Sequence, residues 1–312
     1  GYEAMKSGSR LEKILAAGHF AVTGELGPPR GADVEIIKKK AEYLRGVVDS
    51  INVTDNQTSV VRMCSMAVCK ILIELGLEPN LQMTCRDRNR IAIQSDLLGA
   101  YALGIRNLLC LSGDHNKFGD HPQAKNVFDV DSMQLIQIVK KMRDEGKLLN
   151  GQECEGKASF FIGAAVNPFG DPFDFRPIRL AKKIAAGVDF VQTQCIYNMD
   201  KFREYMKRVV DMGLAEKCYI LAGITPLKSL GMARYMARSV PGLDVPDYYL
   251  KRLQGVPKDK QAAEGIKIAV EQIQQIREIP GVAGIHLMAI EWEHRAKEII
   301  EAAGLLPRPE VN

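Results

Sequence analysis

Eight apolar runs of strand length, most of them followed by an amphipathic helical pattern, recur through this 312-residue chain and restrict its fold more than any other feature. They lie at about His19–Leu26, Val48–Thr54, Asn80–Thr84, Leu108–Ser112, Phe160–Val166, Phe190–Cys195, Tyr219–Ile224 and Gly284–Ala289. Most runs are continuous rather than alternating, as parallel strands covered by helices require. Between them, Ile37, Ala41 and Leu44 stripe one helical face, as do Leu135, Val139 and Met142, Phe202, Met206 and Val209, and Ala296, Ile299 and Ala303. Helix ends at glycine recur, as at Gly76, Gly104, Gly187, Gly213 and Gly304. Eight strand–helix units predict an α/β fold, a (β/α)8 TIM barrel with extra helices, as a single domain over residues 1–312. The competing architecture is a doubly wound open sheet. Its first strand would run into a Gly-rich dinucleotide fingerprint. Here it runs into Gly24-Glu25-Leu26-Gly27-Pro28-Pro29, where proline removes amides that a pyrophosphate would need.

Several segments stand outside the repeat. Ser9–Ala17 reads as a short helix with Ser9 as N-cap and Gly18 as its stop. Met5 reads as an alternative start, with Gly1–Ala4 ahead of it. His115–Asp129 is a polar loop, either functional or a disordered excursion. Pro241–Pro257 is a second insertion, and a helix over about Lys258–Ile279 reads as an extra element capping the barrel.

The charge balance, Lys+Arg 42 against Asp+Glu 38, has no basic stripe and does not ask for nucleic acid. No apolar run reaches membrane-span length and no secretory signal is visible, so a cytoplasmic protein without a membrane partner is expected. The seven cysteines stand singly with no CxxC, which suits buried thiols in a reducing compartment and no metal site.

Active sites of such barrels form at the carboxyl ends of the strands. The polar residues falling there are Glu25, Thr54-Asp55-Asn56, Thr84-Cys85-Arg86, Ser112-Gly113-Asp114-His115, Asn167, Gln192, Gln194 and Thr225. Pro28 and Pro29 stiffen the exit after Glu25; taken alone, that carboxylate is equally a solvated strand end. Gln192 and Gln194 share strand parity and so point the same way, toward a heteroaromatic ligand or into an internal polar layer. Glu25 and Asp114 converge on one rim from different strands and can divide the work of acid and of charge stabiliser.

Read in order, Glu25-Leu26-Gly27-Pro28-Pro29-Arg30, Asn52-Val53-Thr54-Asp55, Thr84-Cys85-Arg86-Asp87-Arg88-Asn89-Arg90, Leu98-Gly99 to Gly104-Ile105-Arg106-Asn107, Ser112-Gly113-Asp114, Gln192-Thr193-Gln194 and Gly223-Ile224-Thr225-Pro226 resemble the methylenetetrahydrofolate reductase family, in its bacterial and acetogen form with the catalytic barrel alone. The resemblance implies FAD as cofactor and reduction of 5,10-methylenetetrahydrofolate to 5-methyltetrahydrofolate, in methionine biosynthesis or the Wood–Ljungdahl pathway. It implies Glu25 as general acid at the pterin 5-nitrogen and Asp114 as the carboxylate that anchors the pterin and stabilises its cation. It further implies Thr54, Gln82, Ser112, Gly113, Asp114, Asn167, Lys182 and Lys183 as FAD contacts, and Gln194 and Leu230 with Asp114 as substrate contacts. Gln82 stands where many relatives have a flavin-contacting His, Ser112 where many have Arg, and Val166-Asn167 where many have Tyr-Pro. Leu230 falls where a Phe packs on substrate or nicotinamide, and Trp292 where an Arg binds substrate. These departures leave two electron donors open, NAD(P)H or a partner electron-transfer protein carrying any iron–sulfur centres, and imply an oligomer or hetero-complex. The alternative is a folate-binding barrel without reductase activity, serving as a subunit of a methyl-transfer complex.

Overall fold

The apolar runs extend side by side because each can bury one face against helices and the other against the opposite wall of a closed sheet. The structure is a computed structural model that describes residues 4–240 and 242–312. Its strands are β1 (Ala21–Leu26), β2 (Ser50–Val53), β3 (Pro79–Thr84), β4 (Asn107–Leu111), β5 (Phe161–Val166), β6 (Phe190–Cys195), β7 (Tyr219–Ile224) and β8 (Val282–Leu287). They close into one parallel barrel in sequence order, with β8 returning to β1. The α-helices among the described residues are α1 (Arg10–Ala16), α2 (Val34–Leu44), α3 (Ser65–Glu74), α4 (Arg90–Ala102), α5 (Ser132–Asp144), α6 (Arg176–Ala186), α7 (Met199–Asp211), α8 (Leu230–Ser239), α9 (Asp247–Gln254), α10 (Gln261–Arg277) and α11 (Ala296–Ala302). The expected (β/α)8 barrel with extra helices is therefore the observed fold. Among the described residues no helix is long and apolar enough to cross a membrane.

Strand alternation sorts the side chains into two cores. Val22, Ile51, Leu81, Leu108, Ile162, Val191, Ile220 and Ile285 face outward into the large core shared with the helices. Inside the barrel, Ala21, Leu109, Phe161, Phe190 and Leu221 form a smaller apolar core, closed from below by Leu11, Ile14 and Leu15 of α1. Ser9 caps α1 as expected, accepting from the Glu12 amide at 3.1 Å. The Glu78 carboxylate accepts the Arg10 and Leu11 amides at 2.6 and 3.0 Å, which ties α1 to the barrel base. Asp49 adds a second tie: it accepts from Val22 N, from Arg10 and from Arg308.

Three expectations change. Several strand limits move by one or two residues, as at β1 and β8; Pro280 and Gly281 turn the chain so that β8 starts at Val282 and ends at Leu287. The helix expected over Lys258–Ile279 is α10, and it does not cap the barrel. It packs against β7, β8 and α11 as an ordinary outer helix, because Ile266, Ala269, Ile273 and Ile276 give it an apolar face as wide as its neighbours'. The extra elements are α1, α8 and α9; the second insertion holds α9, anchored by buried Tyr249 and Leu253, while its first residue, Pro241, lies outside the described residues with Gly1, Tyr2 and Glu3. The His115–Asp129 loop is bonded within itself and to the loop after β3: the Asn116 amide donates to Asn126 Oδ1 at 3.0 Å, and Val127 N donates to Arg86 O at 2.7 Å.

The barrel interior leaves no slack at Gly163. A Cβ there would sit 2.3 Å from Phe190 Cζ, and the Phe190 ring stacks on Phe161 at 4.9 Å. Gly163→Ala should therefore destabilise the fold by about 1–3 kcal/mol through overpacking. Adding Phe190→Leu should recover part of that loss in thermal melts, although Phe190→Leu alone is destabilising.

Candidate active site

Above the apolar plug the barrel interior turns polar. The inward positions of β1, β2, β3, β6 and β8 carry Thr23, Asn52, Asn80, Gln192 and His286, all nearly sealed from solvent. Buried amides must find partners or cost about 1–3 kcal/mol each. Here they find one another, apart from Asn80 Oδ1, which is buried without a partner. Asn52 Nδ2 donates to Gln192 Oε1 at 2.6 Å, and Gln192 Nε2 donates to Asn52 Oδ1 at 3.1 Å and to Thr23 Oγ1 at 3.2 Å. Asn80 Nδ2 donates to Asn52 Oδ1 at 2.9 Å. Thr23 Oγ1 lies 2.8 Å from His286 Nδ1.

Glu25 stands one inward position above this floor and is only 9% exposed. Its Oε1 faces Gln82 Nε2 at 3.4 Å and His286 Nε2 at 3.5 Å. Glu25 is therefore not a solvated strand end. Gln82, expected at the cofactor, spends its amide N–H on this carboxylate. Gln192 belongs to the internal polar layer, while Gln194 is exposed at the rim. They do not act as a pair, because the β6–β7 register shifts between Gln192 and Cys195.

The loops after the strands build the rim. Thr54 is buried and bonds to Gln57. Asp55 faces inward to the loop structure, accepting from Thr84 N at 2.9 Å and from Arg88 Nη1 at 2.7 Å. Asn56, Thr58 and Ser59 all adopt positive φ (44°, 59° and 58°), a concentration of backbone strain in one rim loop. Gly113 has φ +93°, and a Cβ there would lie 3.0 Å from Thr84 Cβ, so only glycine fits this turn. The turn leaves Ser112 and Asp114 exposed. The Asp114 backbone carbonyl accepts from Ser59 Oγ at 2.9 Å, while its carboxylate has no hydrogen-bond partner among the described residues. Glu25 and Asp114 thus share the rim but do not touch; any convergence is across a ligand.

A cavity of about 450 Å³ opens at the ends of β5 and β6. Asn167, Lys182, Lys183 and Gln194 line it together, and Arg176 and Arg179 of α6 join them. Lys183 is buried enough that its ammonium is held below the usual lysine range, by desolvation first and then by Arg179 and Arg176. Its Nζ donates to the Ala165 carbonyl. Four cations around one pocket, with Met133, Val166 and Leu180 as apolar walls, suit an anionic ligand with a large flat body. Leu230 lies elsewhere, packed with Tyr197, Leu227 and Tyr249 in an apolar cluster under α8 and α9. Among the described residues no group of three or more His, Cys, Asp or Glu is arranged to hold a metal ion. All seven thiols are free, and burial pushes that of Cys85 up to about 12.

His286, Arg176 and Arg179 were not singled out in the sequence. The two arginines had a signal, since positions 176, 179 and 183 share one helical face. His286 had a weaker one: Ile285 and Leu287 point outward, which turns the residue between them inward.

Comparison with known proteins places this arrangement. A family model described as "Methylenetetrahydrofolate reductase" matches residues 10–304. The chain is 24% identical over 252 residues to the probable methylenetetrahydrofolate reductase (NADPH) of Caenorhabditis elegans, covering 78% of this chain and 35% of that one. It is 23% identical over 299 residues to the 5,10-methylenetetrahydrofolate reductase of Pectobacterium carotovorum, covering 93% and 92%. The chain spans 35% to 38% of the length of its nematode and yeast relatives. Among solved structures, an uncharacterised protein of Clostridium thermocellum that binds two copies of 5-methyl-5,6,7,8-tetrahydrofolic acid shares the fold, with a TM-score of 0.63 at 12% identity over 96% of this chain and 99% of that one. With the family model running from the first residue of α1 to the end of the last helix, the chain belongs to the methylenetetrahydrofolate reductase family.

Proposed function

We propose that this chain, as a single catalytic barrel, reduces 5,10-methylenetetrahydrofolate to 5-methyltetrahydrofolate with FAD as its cofactor. The observation that carries the reading is the near-buried Glu25 carboxylate on a polar floor, on the same barrel face as a four-cation cavity. Lys182, Lys183, Arg176 and Arg179 fit a diphosphate, and Asn167 and Gln194 flank it. Thr54, Ser112 and Gly113 follow β2 and β4, at the carboxyl ends of those strands. When bound, FAD supplies the hydride.

The protein supplies placement and protons. Glu25 delivers its proton to the 10-nitrogen, the bond from that nitrogen to the bridging methylene breaks, and an iminium cation forms at the pterin 5-nitrogen, which has no lone pair left for a proton. Asp114, unpaired at the rim, binds the amino edge of the pterin and stabilises that cation. Gln194 offers its amide to the same ligand. Electrons arrive from NAD(P)H or from a partner electron-transfer protein.

The visible spectrum of the purified protein is the first test, and flavin absorbance is expected. A protein that stays colourless after incubation with FAD rejects the reading. Anaerobic bleaching by NADH or NADPH separates a direct nicotinamide donor from a protein donor. Glu25→Gln should keep the flavin and slow folate turnover by about 10²–10⁴-fold; near-normal turnover would mean a folate-binding barrel in which Glu25 is no acid. For the cavity, Lys183→Met should weaken FAD binding, measured by flavin fluorescence titration. Protonated Lys183 favours the anion, and its pKa is lowered, so wild-type affinity should fall as pH rises through a range below that of ordinary lysine. That fall should flatten in Lys183→Met.

A further inference from the structure

The two oxygens of Glu25 are not equivalent. Oε1 is faced by Gln82 Nε2 from β3 and by His286 Nε2 from β8. Oε2 has no hydrogen-bond partner among the described residues and is not among the sealed, unpaired polar atoms. Both neighbours of Oε1 are donors only if His286 carries its proton on Nε2. Nε2 also lies 3.5 Å from Asn52 Nδ2, a donor that already bonds Gln192 Oε1 at 2.6 Å. Gln192 Nε2 donates to Thr23 Oγ1, so the Thr23 hydroxyl hydrogen is free to donate onward. His286 Nδ1 lies 2.8 Å from that oxygen and can accept from it, while the Ile285 carbonyl accepts at 3.4 Å. With Nδ1 accepting, the imidazole proton sits on Nε2 and points at Oε1. Gln192 is fixed in turn by its two bonds to Asn52, and Asn52 by Asn80.

We propose that His286 is a positioning residue that pins Oε1 of Glu25 and so makes Oε2 the atom that delivers the proton. The relay Asn80–Asn52–Gln192–Thr23–His286 sets the tautomer, and Gln82 supplies the second donor to Oε1. The step balances within the reading above, on which it rests. The O–H bond at Oε2 breaks, an N–H bond to the departing 10-nitrogen of the folate forms, and the carboxylate left behind has its charge met at Oε1 by two N–H groups already in place. No atom of the floor moves and no proton leaves it.

The test is the folate half-reaction, in which methyltetrahydrofolate reduces the bound flavin of the whole protein. His286→Leu should lower its limiting rate by about 10- to 100-fold, the worth of a hydrogen bond to a charged group. Half-saturating folate and flavin content should stay near wild type. His286→Gln returns a donor at the position of Nε2 and should recover most of the rate, which a role in packing alone would not predict. In a double-mutant cycle, His286→Leu should add almost nothing to Glu25→Gln. A wild-type rate in His286→Leu, or equal impairment in His286→Gln and His286→Leu, overturns the assignment. Full activity of Glu25→Gln would instead reject the acid reading beneath it. If His286→Leu loses its flavin, Thr23→Val makes the same test without touching the imidazole: the rate should drop about threefold or more with Nδ1 left without its donor, and no change overturns the proposal.

Discussion

Everything distinctive about this barrel follows from one constraint: a carboxylate has been placed inside a closed sheet and must be answered by donors. An unanswered charge at that depth would cost several kcal/mol. The answer occupies five strands. Gln82 and His286 meet Glu25 directly, and Thr23, Gln192, Asn52 and Asn80 orient His286 from below. Parallel register makes the arrangement possible, since Thr23 pairs with His286 across β1 and β8 while Glu25 pairs with Asn52 across β1 and β2. A one-residue slip of β1 would turn Thr23 and Glu25 out of the barrel and strand the rest.

The second centre of charge uses a different device. Arg176, Arg179, Lys182 and Lys183 sit on one helix, and their mutual repulsion is tolerated because the cavity is open on one side. The lowered pKa of Lys183 comes from its burial first and from Arg179 and Arg176 next, and its Nζ donates to the Ala165 carbonyl. An anion in this pocket would relieve the repulsion it was built around. The cationic helix and the clamped carboxylate lie on one rim, so a ligand bridging them would have its negative end and its reacting ring fixed by separate elements.

The barrel was legible because its signal is repeated: one ambiguous apolar run is weak evidence, and eight with returning helices leave few architectures. Glu25 was legible as a residue and not as an environment. Its neighbour His286 is 261 positions away in the chain, and no local pattern links them. The separation of Gln192 from Gln194 was hidden for a related reason. The bulge depends on Gly223 in the next strand, where a Cβ would sit 2.4 Å from the Thr193 carbonyl oxygen, so the close approach is a property of the pair of strands. The helix expected to cap the barrel is α10, and its apolar face makes it part of the ring.

The plug formed by α1 with Phe161 and Phe190 has a consequence for traffic. A barrel stopped at its base has a single doorway. Whatever approaches Glu25 must enter over the rim loops and leave by the same path, and two molecules needing the same ring of side chains must take turns. Order of arrival is then set by geometry at the doorway rather than by any moving part. The positive-φ run at Asn56, Thr58 and Ser59 stands on that threshold.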